Sequence, residues 1–60
     1  MDIFKLFVMF RNGRPLVLEG NTAEPLIEEA RHLFRTKQIK WAQVCNDTAR
    51  TILYQRPKRR

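Results

Sequence analysis

Sixty residues make at most one domain, and a chain this short buries only about 60% of the surface its unfolded form exposes, so a monomer is marginal and folds of this size usually carry an added staple. A single cysteine excludes an internal disulfide, and one histidine with one cysteine excludes a four-ligand structural zinc site; association with another chain is the staple left open. Twelve Lys and Arg against six Asp and Glu give a net charge of +6 and a pI near 10.5, which favours polyanionic partners, nucleic acid first and acidic proteins or membrane surfaces next.

The hydrophobic share, 43%, is too high for a disordered chain of this charge. No apolar run approaches the roughly 20 residues of a membrane span, and the opening MDIFKLFVMF lacks the cleavage site of a signal peptide. The expected setting is the cytoplasm, with no membrane contact. The lone cysteine points weakly the same way, to a reducing compartment.

In chain order, Ile3 to Phe10 reads as a first strand with apolar residues on both faces. Asn12-Gly13 is the strongest short-range signal for a two-residue hairpin turn. That turn places Arg11 opposite Arg14, Phe10 opposite Pro15, Met9 opposite Leu16, Val8 opposite Val17 and Phe7 opposite Leu18. Phe7, Met9, Leu16 and Leu18 then share one face; Phe4, Leu6, Val8, Phe10 and Val17 share the other. The second strand runs from Arg14 to about Glu19, and Pro15, which cannot donate to a ladder, makes it an edge.

The segment GNTAEP starts a helix, with Asn21 or Thr22 as cap and Pro25 tolerated in the first turn. The helix runs from about Ala23 to Thr36. Leu26, Ile27, Ala30, Leu33 and Phe34 form its apolar stripe. Ile39 to Cys45 and Arg50 to Arg56 read as a second hairpin, with Trp41 opposite Tyr54, Ala42 opposite Leu53 and Val44 opposite Thr51. Residues 1–57 are thus one domain, and Lys58, Arg59 and Arg60 form a basic tail that can act as an arm along a phosphate backbone.

The fold class is α+β: a ββαββ chain folded as a four-stranded antiparallel sheet of order 2-1-3-4, with one helix on one face. A crossover that passes over the first strand yields this order and leaves the proline-bearing strand at an edge. The same topology carries nine of the twelve bases to one end of the sheet, namely Arg11, Arg14, Arg35, Lys37, Lys40, Arg56, Lys58, Arg59 and Arg60. It carries Asp2, Glu19, Glu24 and Asp47 to the other, with Lys5 and Arg50 as exceptions.

No residue constellation points to catalysis. His32 follows Glu28 by one turn on the solvated helix face, but no nucleophile or pocket accompanies it. Cys45, placed opposite Arg50, reads as a small half-buried strand residue. The chain has no CxxC, glycine-rich phosphate loop, HExxH or GxSxG. No cofactor, metal or small-molecule substrate is expected.

One helix covers one side of a four-stranded sheet, so the other apolar face needs a partner. The candidate interface residues are Phe7, Met9, Leu16, Leu18, Trp41 and Tyr54. Three occupants suit it: a second copy of the chain, packed sheet to sheet; a different protein; or unpaired bases stacked on Trp41, Tyr54 or Phe7, although the glycine-aromatic signature of RNA-binding sheets is absent.

The leading functional expectation is a non-enzymatic module, dimeric, that binds DNA or RNA through phosphate contacts from Arg11, Arg14, Lys37, Lys40, Arg56, Lys58, Arg59 and Arg60. The alternative is a small regulator or inhibitor, of the size mobile elements encode, that docks its open sheet face or basic pole on a larger acidic protein.

Overall fold

A computed structural model describes residues 2–57. The elements are β1 (Phe4–Phe10), β2 (Pro15–Gly20), α1 (Glu24–Thr36), β3 (Ile39–Asn46) and β4 (Thr51–Arg56). The four strands form one antiparallel sheet in the order β2-β1-β3-β4, and α1 packs across one face, mainly on β3 and β1. This is the architecture expected from the sequence, with the proline strand at an edge.

The core is the layer between α1 and the sheet. Leu6 and Val8 from β1, Ala42 and Val44 from β3, Ile39 at the start of β3, and Leu26, Ala30 and Leu33 from α1 are buried there. Phe4, Phe10, Leu16, Leu18, Ile27, Phe34 and Tyr54 pack around them. The helical stripe read from the sequence is therefore the stripe that is used.

The first hairpin differs from its expected register by one residue. Met9 pairs with Pro15, Val8 with Leu16, Phe7 with Val17 and Leu6 with Leu18. The loop has three residues: Gly13 N–H donates to the Phe10 carbonyl (2.9 Å), and Phe10 N–H to the Arg14 carbonyl (3.0 Å). Gly13 has φ +89°, the left-handed position of a type I turn closed by a glycine bulge. The Asn12 Oδ1 accepts from Arg14 N–H at 2.9 Å. Arg11 therefore does not face Arg14. Burial explains the choice, because a one-residue slip exchanges the two faces of a strand. The two-residue loop would turn Leu16 and Leu18 away from α1 and bring Val17 in alone. The observed loop places both leucines beside Leu6 and Val8. Pro15 then occupies a position between ladder bonds, where its missing N–H costs nothing.

The second hairpin is also displaced. Asn46 pairs with Thr51, so the loop is Asp47 to Arg50, with Arg50 at φ 57°. The Asn46 Oδ1 accepts from Ala49 N–H at 3.0 Å. A register shift between Val44 and Cys45 leaves Leu53 unpaired and sets Val44 opposite Tyr54. Trp41 and Tyr54 are consequently on different faces. Trp41 pairs with Met9 on the open side, while Tyr54 packs against the core with the Arg31 guanidinium 6.0 Å above its ring. The bulge brings the Tyr54 ring into the helix-covered layer and leaves Leu53, 46% exposed, outside. Cys45 pairs with Ile52 and Lys5, not Arg50.

Neither Asn21 nor Thr22 caps the helix. Ala23 holds the cap position with no side-chain bond, and its carbonyl accepts from Ile27 N–H at 2.9 Å. At the other end Lys37 N–H bonds the Leu33 carbonyl at 2.8 Å.

Two substitutions test these packing and turn assignments. Leu6→Ala removes a fully buried side chain and should cost about 2–5 kcal/mol in urea denaturation. Gly13→Ala would put its methyl group in open space, with nothing within 4 Å, so its loss of about 1–2 kcal/mol should come from the backbone conformation alone.

Candidate nucleic-acid interface

The two ends of the sheet carry opposite charge. At one end Lys5 lies 3.5 Å from Asp47 and 4.0 Å from Glu19. Ile3 joins this end to the second hairpin: its carbonyl accepts from Asp47 N–H at 2.7 Å, and its N–H donates to Thr48 Oγ1 at 3.0 Å. The start of α1, with Glu24 in its first turn, lies at the same end.

At the other end, the first hairpin tip meets the junction between α1 and β3. The Arg11 N–H donates to the Gln38 carbonyl at 3.0 Å, which ties the tip to the segment after the helix. A cleft of about 390 Å³ opens here, lined by Arg11, Phe34, Lys37, Gln38, Ile39, Lys40, Arg56 and Pro57. Four of the eight are basic and none is acidic. Arg11 comes from the hairpin loop, Lys37 from the helix terminus, Lys40 from β3 and Arg56 from the end of β4. Their convergence depends on topology, since Arg11 and Arg56 are 45 positions apart in the chain.

Local geometry sets each cation. Lys40 is the extra residue at a bulge, because β1 pairs Phe10 with Ile39 but Met9 with Trp41; bulges at sheet edges and ends re-aim side chains in this way. The Arg56 guanidinium lies 5.3 Å from the centre of the Phe34 ring, a cation–π contact that holds one face and leaves the N–H groups at the rim available. Among the described residues, the ion pairs involve only Lys5 and Arg31 as bases, so Arg11, Lys37, Lys40 and Arg56 have no carboxylate partner there. Arg14 follows the hairpin loop at the same end but does not line the cleft. Lys58, Arg59 and Arg60 lie outside the described residues.

The face away from α1 carries a different residue set from the one expected. Phe7, Met9 and Trp41 are on it. Leu16, Leu18 and Tyr54 are not; they pack on the helix side. Val17 and Ile52, at 53% and 57% exposure, take their place. Register accounts for both differences: a loop one residue longer turns Val17 out and Leu16 and Leu18 in, and the bulge at Leu53 turns Tyr54 in while Ile52 stays on the open face. The three-residue alternative for Asn12-Gly13 is the signal in the sequence, because only that loop aligns Leu16 and Leu18 with Leu6 and Val8.

His32 is exposed on α1, and its carbonyl accepts from Thr36 Oγ1 at 2.9 Å. The neighbouring Arg31–Glu28 pair, 3.3 Å apart, is likewise exposed. Cys45 is half-buried. Among the described residues no group of three or more His, Cys, Asp or Glu side chains could hold a metal ion, and no helix is long and apolar enough to cross a membrane. No family model, curated protein or solved structure matches the chain.

The cleft can bind an anion through side chains alone. It lies at the helix C-terminus, whose carbonyls are partly negative, so the guanidinium and ammonium groups must supply the attraction. Arg56→Gln should lower stability by about 0.5–1 kcal/mol through loss of the Phe34 contact, read as a shift in the urea midpoint, with the fold unchanged by circular dichroism.

Proposed function

We propose that this chain is a non-enzymatic nucleic-acid-binding module whose contact surface is the basic end of the sheet. The observation that carries this reading is the cleft where Arg11, Lys37, Lys40 and Arg56 converge with no carboxylate in its lining. Three separate chain segments meet there, and Glu19 and Asp47 sit at the far end beside Lys5. A sugar-phosphate backbone matches this pattern. Its charges are regularly spaced, arginine can bind each phosphate through two N–H groups, and neutralising them releases counterions. Arg14 extends the same charge, and contacts of this kind position a nucleic acid without reading its bases.

A second reading is favoured by the uncovered sheet face. Phe7, Met9, Val17, Trp41 and Ile52 present apolar surface there, which a second copy of the chain or another protein would bury. Light scattering decides between the two: a mass of twice 7.2 kDa that Phe7→Asp returns to the monomer supports a dimer, and a monomeric wild type directs the face to a different protein.

The main reading predicts strong salt dependence. With four phosphates neutralised, the slope of log K against log salt on duplex should be about −3.6. Affinity should then fall roughly a hundredfold between about 50 and 200 mM salt. The double variant Arg11→Ser, Lys37→Ser should reduce the slope by about two units without unfolding the protein. Absence of binding to both DNA and RNA at low salt would refute it.

A further inference from the structure

The basic cleft does not end at the helix side. A second cleft, of about 570 Å³, opens toward the uncovered face and is lined by Lys40, Trp41, Ala42, Gln43, Gln55, Arg56 and Pro57. Lys40, Arg56 and Pro57 line both clefts, so the two meet across the end of the β3–β4 pair. Their chemistry differs. The first offers cations around the Phe34 ring; the second offers an aromatic plane and two primary amides.

We propose that Trp41 is a stacking platform for an unpaired base of single-stranded DNA or RNA, with Lys40 and Arg56 holding the flanking phosphates. This inference rests on the nucleic-acid reading of the basic cleft and names the form of nucleic acid that it takes.

Trp41 is 39% exposed on the face that α1 leaves open. A Trp ring is a costly group to leave in water and an effective surface for stacking a base. It stands next to Lys40 at the β1–β3 bulge, where the alternation of the strand is interrupted. A cation and an aromatic that regular pleating would place on opposite faces therefore border one cleft. Gln43 and Gln55 are cross-strand partners. Each amide both donates and accepts, as base edges require. No acidic residue lines either cleft.

The same geometry discriminates between strand forms. In a duplex the faces of the bases are occupied by one another, so only the phosphates are offered to this end of the sheet. A single strand can lay its phosphates across Lys40 and Arg56 and turn one base onto Trp41. Tyr54 and Phe7 do not share this position. Tyr54 is packed into the helix side, and Phe7 lies deeper along β1, opposite Val17 and Gln43.

Trp41 is the only tryptophan in the chain, so its emission reports on this site directly. The full-length protein is titrated at low salt with oligo(dT), oligo(U), a mixed-sequence duplex and inorganic polyphosphate. Both single strands should quench Trp41 emission. Duplex and polyphosphate should bind without quenching. By anisotropy with labelled oligonucleotides, Trp41→Ala should weaken single-strand binding about tenfold, leave polyphosphate affinity unchanged and keep its circular dichroism spectrum; Trp41→Phe should recover most of the loss. Single-strand binding with unaltered emission overturns the stacking site and leaves the basic cleft standing, as does a Trp41→Ala variant that binds like the wild type. Failure of every probe to bind overturns both.

Discussion

Leu6 and Val8 lie in the middle of the central strand β1, fully buried beneath a single helix. Burying these two side chains decides which alternate residues of β1 face α1, and the other strands must then align with them. Leu16 and Leu18 in β2 and Ala42 and Val44 in β3 occupy the same face through direct register pairing. Each strand end that cannot keep this alignment by simple alternation carries an irregularity: the Gly13 bulge in the first loop, the extra Lys40 in β3 and the extra Leu53 in β4. A domain this small has little apolar area to spare, so retaining these side chains in one layer outweighs local turn preference.

The irregularities shape the surface as well as the core. The longer first loop separates Arg11 from Arg14 across the hairpin and directs the Arg11 backbone to Gln38, which joins the tip to the helix–strand junction. The bulge at Lys40 sets a cation beside Trp41 at the boundary of two clefts. Arg56, placed opposite Ala42 by the Leu53 bulge, reaches the Phe34 ring and borders both clefts too. With the β4 register expected from the sequence, Tyr54 would instead lie opposite Trp41 on the open face, and Arg56 would not lie opposite Ala42.

Charge is distributed by topology. Antiparallel order brings the hairpin loop, the helix C-terminus, the start of β3 and the end of β4 to one end, and the residues at those points are Arg11, Lys37, Lys40 and Arg56. The opposite end receives Glu19, Glu24 and Asp47, with Lys5 held between two carboxylates. A molecule with this polarity approaches a polyanion in one orientation, since the field favours its basic end. The Tyr54 hydroxyl is buried with no hydrogen-bond partner among the described residues, a local cost beside the Arg31 contact on the helix-covered side.

Element types, strand order and the gathering of bases at one end are legible in the sequence. They follow from periodicity, from Pro15 marking an edge and from the alternating direction of successive elements, all of which are local or combinatorial. Faces are not legible. The shortest loops put Leu16 and Leu18 on the open side, Val17 on the helix side, and Trp41 together with Tyr54; the structure reverses each of these placements. Both errors are shifts of register, and β1 is apolar on both faces, so its own pattern does not show which side meets the helix. That choice depends on three-dimensional packing: only when α1 lies over β1 and β3 does burying two leucines in β2 and the Tyr54 ring in β4 outweigh the shortest loop. The sequence by itself determined the ββαββ order and the basic end. The tertiary structure decided which aromatic remains exposed there, because a one-residue bulge, invisible in local propensity, moves a side chain from one face of a sheet to the other.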